Sequence, residues 1–358
     1  MAFTGTAWPQ LTDVIVVFDK GIASAELLSH VLVSKYADHL PLYRQRQIFL
    51  RAGVDLSRST LSDWIGRCGV ELEPLADALK QVVQQQRVIH ADETPVTIMQ
   101  MGDDEKKPKK GYVWAYATTQ DNPVQALIYD FQPSRSGQHA EEFLNGWQGH
   151  LVCDDYSGYK ARFRSGQVIE VGCMAQARRK FHELHVTGKS QIAEQALVLI
   201  QKMYAIEAEL RKKTDGTAEH RREYRQQHSQ AVMQQLYEWL NQHQLTVPRS
   251  SPTAKAINYS LKRWTALSRY LDDGNLPIDN NWVENQMWPW ALGRKNWLFA
   301  GSLRSDQRAA NIMTLIQSAK LNGLDPYAYL SDVLKRLPTQ KISQIEELLP
   351  HRWKSIPN

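Results

Sequence analysis

The sequence predicts an α/β (α+β) protein in which a mixed β-sheet follows an all-α region and is interrupted by a long helical insertion. Apolar runs of strand length are concentrated between residues 87 and 172, whereas the apolar residues before and after this stretch recur at helical spacing. The chain has 358 residues, of which 42% are hydrophobic, which is enough for a sizeable core divided among two or three domains.

The first helical region is predicted over residues 21–86, and residues 1–20 have no convincing period and stay unassigned. After a turn that contains Gly53, Ser57 is placed to cap a new helix. The arrangement of helix, turn and helix is typical of a helix-turn-helix, whose second helix would present Arg58, Ser59 and Thr60 to DNA. A plain helical hairpin has the same pattern and stays open as an alternative.

The strands are predicted in the order β-β-β-α-β-α-β-α. This order is that of a ribonuclease-H-like fold, in which the first and fourth strands lie side by side. Asp92 interrupts the first strand and Asp154 ends the fourth, so the two carboxylates are expected to face one another. The predicted strands cover residues 88–99, 111–118, 124–131, 150–153 and 168–172.

Residues 189–272 are expected to be a helical insertion, because apolar side chains step by four and three from Ile192 to Leu210. The insertion divides the catalytic core into residues 87–188 and 273–325, and a C-terminal helical tail follows over 326–358. The basic stretch from Arg211 to Arg225 is interpreted as a solvated face, with contact to DNA as the less favoured alternative.

Three acidic residues have the arrangement that phosphoryl transfer requires. Two divalent cations about 3.5–4 Å apart stabilise the attacking and leaving oxygens, and Mg²⁺ prefers oxygen ligands. Asp92 and Asp154 would come from adjacent strands, and Glu284 from the early turns of a helix that Asp279 could cap. A single acid at a strand end is more often a turn residue, but two on adjacent strands favour a metal site.

Basic and amide side chains accompany these acids. The net charge of +5 is compatible with a polyanionic partner. Basic side chains would neutralise phosphates, and amides would bond to the DNA backbone or bases. Beyond the first helical region, the residues predicted to contact DNA are Arg178, Arg179, Lys180, Asn280, Asn281, Arg294, Lys295 and Asn296.

The cysteines and the apolar runs indicate the compartment. Cys68, Cys153 and Cys173 stand far apart with no C-x-x-C pair, so neither a zinc module nor a disulfide framework is predicted. The longest early apolar run, residues 14–18, is too short to span a membrane and lacks the features of a signal peptide. We therefore expect a soluble protein of the cytoplasm that does not associate with a membrane.

Several motifs together resemble the transposases of insertion-sequence family 66, from about Lys20 to the C-terminus. The resemblance implies a DNA transposase with a DDE triad of Asp92, Asp154 and Glu284 that holds Mg²⁺ or Mn²⁺, with two ions expected. It also implies that the partners are terminal inverted repeats and target DNA, a second copy in a synaptic homodimer, and accessory proteins of the same element. The motifs are HADETP (90–95), DDYSGY (154–159), ARRKF (177–181), IDNNWVE (278–284), ALGRKNWLFAGS (291–302), AKLNGLDP (319–326) and residues 31–43.

The sequence also departs from the family pattern. Family members carry an upstream region with paired cysteines, a histidine where this chain has Gln176, and arginines where it has Asn285 and Trp288. An alternative is therefore a truncated, catalytically inactive relic that only binds DNA. A zinc hydrolase built on His182 and His185 is a weaker alternative, since these lie at i and i+3 and no third ligand is evident.

Overall fold

A computed structural model describes residues 23–98, 109–212, 216–296 and 303–355. The unassigned N-terminal segment, residues 1–20, lies outside these ranges. So does the aromatic stretch after Asn296. No helix among the described residues is long and apolar enough to cross a membrane.

Four helices open the described chain, in agreement with the predicted helical region: α1 (Ala25–Tyr36), α2 (Leu42–Arg51), α3 (Arg58–Glu71) and α4 (Glu73–Gln84). The predicted cap of α3 is confirmed, because the hydroxyl of Ser57 accepts a hydrogen bond of 3.0 Å from the amide of Thr60. Gly53, with φ of +84°, supplies the left-handed residue that ends α2.

Five strands form one mixed sheet: β1 (Val88–Ile98), β2 (Lys109–Ala117), β3 (Leu127–Gln132), β4 (Gly149–Cys153) and β5 (Val168–Gly172). Their spatial order is β3-β2-β1-β4-β5. β1 pairs antiparallel with β2 and parallel with β4, so the predicted adjacency of the first and fourth strands is confirmed.

The third strand begins later than predicted, at Leu127 instead of residue 124. Side-chain amides hold the residues before it in a turn. The amide oxygen of Asn122 accepts from the backbone of Val124 at 2.8 Å, and the Gln125 amide donates to the Thr119 carbonyl at 3.2 Å. Local side-chain bonds of this kind compete with ladder formation and shorten the strand.

The remaining helices follow the strand order given by the sequence. The described residues between 191 and 271 are mostly helical, as their apolar period predicted, and the C-terminal part of the chain is helical as well. The helices are α5 (Gly137–Phe143), α6 (Lys160–Arg164), α7 (Met174–Gly188), α8 (Gln191–Lys212), α9 (Ala218–His228), α10 (Gln230–Thr246), α11 (Pro252–Lys262), α12 (Trp264–Ser268), α13 (Asn281–Gln286), α14 (Trp288–Asn296), α15 (Leu303–Leu321) and α16 (Pro326–Arg336), with 3₁₀ turns at Ser157–Tyr159, Arg269–Leu271, Leu337–Thr339 and Ile342–Leu348.

Hydrophobic cores lie on both faces of the sheet, because alternate residues of a strand point to opposite sides. In β4, Leu151 joins a core that also contains residues of α1, α3, α4, α15 and α16. Its neighbour Val152 joins the other core, which is built from α7 and the helical insertion. The N-terminal and C-terminal helices therefore share one core with the sheet, and the insertion closes the opposite face.

Candidate active site

Asp92 and Asp154 occupy matching positions on the two central parallel strands. The ladder between β1 and β4 pairs Val88 with His150 and His90 with Val152, always 62 positions apart. The same offset carried two residues beyond the ladder brings Asp92 opposite Asp154. Asp92 lies within β1, while Asp154 directly follows Cys153 at the end of β4. The register of these parallel strands therefore brings both acids to the same level of the sheet, at the carboxyl end of β4.

Glu284 approaches Asp92 from the short helix α13, where it lies in the first turn. Before this helix, the carboxylate of Asp279 accepts from the backbone amide of Asn281 at 3.0 Å and also from the hydroxyl of Tyr204 at 2.6 Å. Asp279 thus organises the start of the helix, as the sequence suggested, and ties it to α8 of the insertion.

Asn280 fastens the same helix to β1, and here the prediction of a DNA contact is wrong. Its side chain is fully buried. The amide nitrogen donates to the Ala91 carbonyl at 2.9 Å, the amide oxygen lies 2.8 Å from Nδ1 of His90, and the backbone amide donates to Sγ of Cys173 at 3.3 Å. A buried polar group is retained where it is fully hydrogen-bonded, so Asn280 acts as a brace beside Asp92.

The carboxylates repel one another electrostatically. The pKa of Asp92 is raised well above its usual range, first because burial disfavours the charged form and then because Glu93, Glu284 and Asp154 are negative neighbours. The pKa of Glu93 is also raised, chiefly by burial and against the lowering effect of Arg135. The negative charges of these three neighbours therefore all act on Asp92.

The acids lie near one another, but their side chains do not converge on a single point. Among the described residues, no three His, Cys, Asp or Glu side chains are close enough to hold a metal ion as they stand. Glu284 instead pairs with Arg179, whose Nη2 lies 3.3 Å from Oε2. Carboxylate oxygens are nevertheless the ligands that hard divalent cations prefer. A bound cation would also relieve the repulsion between Asp92 and its negative neighbours.

A guanidinium that the sequence analysis did not single out lies beside Asp154. Nε of Arg135 donates to Oε1 of Glu93 at 2.8 Å, and its guanidinium lies 4.2 Å from the ring centroid of Tyr156. Arg135 and Asp154 line the same cavity of about 410 Å³. Lys180 and Gln176 line it too, so the position at which the family histidine is absent faces this site.

The insertion contributes a second guanidinium, that of Arg263 at the end of α11. It is buried, and Nη1 lies 2.6 Å from Oδ1 of Asp155 and 2.8 Å from Oε1 of Glu170. Its Nη2 donates to the carbonyl of Asp154 at 3.3 Å. Arg263 therefore fixes the chain at the end of β4, and no sequence signal pointed to it because its partners are about a hundred residues away.

The other residues predicted to contact DNA are found mostly on the surface. Thr60 is half-buried on the first turn of α3. Arg294 and Lys295 belong to α14, but their side chains are outside the described set. The exposed members are Arg58, Ser59, Arg178, Arg179, Lys180, Asn281 and Asn296.

Known proteins are similar to this chain over most of its length. The family model described as Transposase IS66 family matches residues 20–308, and the model described as IS66 C-terminal element matches residues 314–351. Two uncharacterized proteins of Sinorhizobium fredii, y4qI and y4jD, are 38% and 40% identical over 351 residues, which is 94% of this chain in each case. The chain spans 64% of the length of y4qI and 67% of that of y4jD. The chain belongs to the IS66 family of transposases.

Proposed function

We propose that the chain cuts DNA strands at the ends of an insertion sequence and joins them to target DNA, with Asp92, Asp154 and Glu284 as the catalytic triad. The observation that carries the proposal is the β1–β4 register, which brings Asp92 and Asp154 to the same level of the sheet. The negative charge of Glu284 also acts on Asp92. The strand order is also the one expected of a ribonuclease-H-like core, which supports the same assignment.

The three carboxylates would hold Mg²⁺ or Mn²⁺, with two ions as the expected number. When bound, such ions stabilise the charge on the attacking and leaving oxygens of an in-line displacement. For Glu284 to take part, its pair with Arg179 would have to open. Arg179 is exposed at the surface, so its guanidinium would then be free to bind a DNA phosphate.

The reaction would proceed in two displacements at phosphorus. Water attacks the phosphate at the element end, a new P–O bond forms, and the bond to the 3′ oxygen breaks to leave a 3′-hydroxyl. That hydroxyl then attacks a target phosphate, and the target's own 3′ oxygen leaves with a proton. Arg135 and Lys180 line the cavity beside Asp154 and would orient the phosphate during both steps.

DNA binding would involve surfaces away from the triad. The exposed residues Arg58 and Ser59, on the first turn of α3, agree with a helix-turn-helix that enters the major groove. Arg178, exposed on α7, would bind DNA at a separate surface, because α3 and α7 pack in the cores on opposite faces of the sheet. Synapsis of two ends would need a homodimer and could draw on accessory proteins of the same element, in the cytoplasm at the nucleoid.

The proposal is tested by strand cleavage of the cognate element ends by the full chain. We expect nicking with Mg²⁺ or Mn²⁺, none after chelation by EDTA, and none by the Asp154→Asn or Glu284→Gln variants. Cleavage that persists in EDTA would contradict the metal-dependent mechanism. Binding of the ends without cleavage under any metal condition would instead support the inactive DNA-binding relic.

A further inference from the structure

A second cavity, of about 520 Å³, lies beside the helix that carries Glu284. Its walls come from α8 and α9 of the insertion, from the turn after β2, and from residues 274–285. Asn281 and Asn285, one helical turn apart on α13, line it. Since Glu284 belongs to the same helix, the cavity is separated from the triad by a single short element.

One buried side chain that lines this cavity has an unused hydrogen-bonding atom. His90 is 1% exposed. The amide nitrogen of Asn280 donates to the Ala91 carbonyl, so its oxygen is the acceptor for His90, and Nδ1 must carry the proton. Nε2 is then a bare acceptor, and among the described residues it has no hydrogen-bond partner.

Two aromatic side chains and three arginines line the cavity, together with the acidic residues Asp121, Glu207 and Asp279. Arg225 is paired with Glu207 at 2.8 Å, and Arg221 lies 3.8 Å from Asp121. Nε1 of Trp282 donates to the Thr118 carbonyl at 2.9 Å, and the hydroxyl of Tyr204 donates to Asp279 at 2.6 Å, so both polar atoms are already bonded. The rings are thereby fixed as stacking surfaces. Arg211 and Arg221 line the cavity as well, and Arg211 is exposed.

We infer that this cavity binds one unpaired nucleotide of the DNA, whose base donates an N–H to Nε2 of His90. The base would stack against Trp282 or Tyr204, and the exposed guanidinium of Arg211 would neutralise its phosphate. The volume lies within the range of small-ligand sites. The inference rests on the proposed function, because it assumes that DNA occupies the adjacent triad.

The test uses four DNA duplexes that differ at a single position: fully paired, or with an unpaired adenine, an unpaired purine lacking the exocyclic amine, or an abasic site. Affinities are measured by fluorescence anisotropy with the full chain. We expect the wild type to bind the unpaired adenine about tenfold more tightly than the abasic site. Loss of the amine should remove about threefold of this preference, as for one hydrogen bond.

Two variants locate the effect. His90→Asn keeps an N–H donor for Asn280 and removes the Nε2 acceptor, so it should bind adenine and the amine-free purine equally. Arg211→Ala should weaken binding of both unpaired purines relative to the paired duplex, whereas Arg249→Ala, an equally exposed arginine in the loop before α11, should not.

The inference is overturned if the wild type binds the unpaired adenine and the abasic site equally, or if His90→Asn still discriminates the amine. The inference is also contradicted if Arg211→Ala binds the unpaired purines, relative to the paired duplex, as tightly as the wild type does. This second variant is independent of any folding defect in His90→Asn. Failure of the proposed function has a different signature, because binding of the paired duplex or metal-dependent cleavage would then be lost in the wild type itself.

Discussion

The side-chain oxygen of Asn280 lies 2.8 Å from Nδ1 of His90, and the bond joins two segments that are 190 positions apart. It holds the start of the Glu284 helix against β1 two residues before Asp92. The same amide donates to the Ala91 carbonyl at 2.9 Å. The distance between the third acid and the first is therefore set by a buried amide and not by the acids themselves.

Replacement of this amide tests the brace. Asn280→Ala leaves the Ala91 carbonyl and the His90 N–H unsatisfied, and we expect the free energy of unfolding to fall by about 2–4 kcal/mol, measured by urea denaturation. DNA cleavage should fall as well, because Glu284 loses its register with Asp92. The neighbouring exposed residue provides the matched control: Asn281→Ala should change stability by no more than about 0.5 kcal/mol. Equal effects of the two substitutions would refute the brace.

The buried guanidinium of Arg263 should be as important for stability. Arg263→Gln leaves Asp155 and Glu170 with Lys160 alone. Breaking a fully buried pair costs about 3–5 kcal/mol, and we expect a smaller loss here because both carboxylates are partly exposed. Thermal denaturation should show a clearly lowered transition. Arg249→Gln, on an exposed loop, should behave as wild type. A wild-type transition for Arg263→Gln would show that the insertion does not depend on this contact.

The exposed first turn of α3 gives a prediction about DNA binding. If Arg58 contacts a phosphate, Arg58→Ala should weaken binding of all sequences alike and reduce the slope of log affinity against log salt by about 1. Arg67, near the other end of the same helix, pairs with Asp63 at 2.9 Å. Arg67→Ala should leave the salt dependence unchanged. An unaltered slope for Arg58→Ala would favour the plain helical hairpin.

A buried carboxyl in α15 predicts how stability depends on pH. Burial raises the pKa of Asp306 from 3.8 to about 7. A raised acid pKa means that the folded state holds its proton longer, so the contribution of Asp306 to stability is fully present below about pH 4 and is lost as pH rises through 7. Between pH 4 and pH 8 the wild type should lose about 2–4 kcal/mol that Asp306→Asn retains.

Chemical denaturation at several pH values measures this difference. Asp55→Asn, at an exposed aspartate, provides the control and should follow the wild-type pH profile. Parallel profiles for the wild type and Asp306→Asn would show that the Asp306 carboxyl titrates normally.

The sequence predicted the sheet well, because strand signals are local. Short continuous apolar runs mark β1 and β4, and the strand order expected of the fold predicted that Asp92 and Asp154 face one another. The helical insertion was evident from its period for the same reason. A period shows that a helix has an apolar face, but it does not show which element packs against that face. The shared core of α1, α15 and the sheet was therefore not predicted.

The site was predicted less completely, because its supporting contacts are not local. Asn280 was predicted to contact DNA because amides bond to the DNA backbone or bases, yet three partners distant in sequence keep it buried. Arg135 and Arg263 carried no motif, and their role depends on carboxylates 42 and about 100 positions away. Such residues are recognised only when the chain is folded.

Cleavage by Asp92→Asn on preformed complexes with element ends tests the central claim most directly. The substitution replaces one carboxylate oxygen of the proposed triad by an amide and removes its negative charge, while the basic surfaces proposed to bind phosphates are untouched. We predict that end binding stays within about twofold of wild type and that the cleavage rate in Mg²⁺ falls by about a thousandfold, equivalent to several kcal/mol of lost stabilisation. Cleavage by Asp92→Asn at the wild-type rate would contradict the triad.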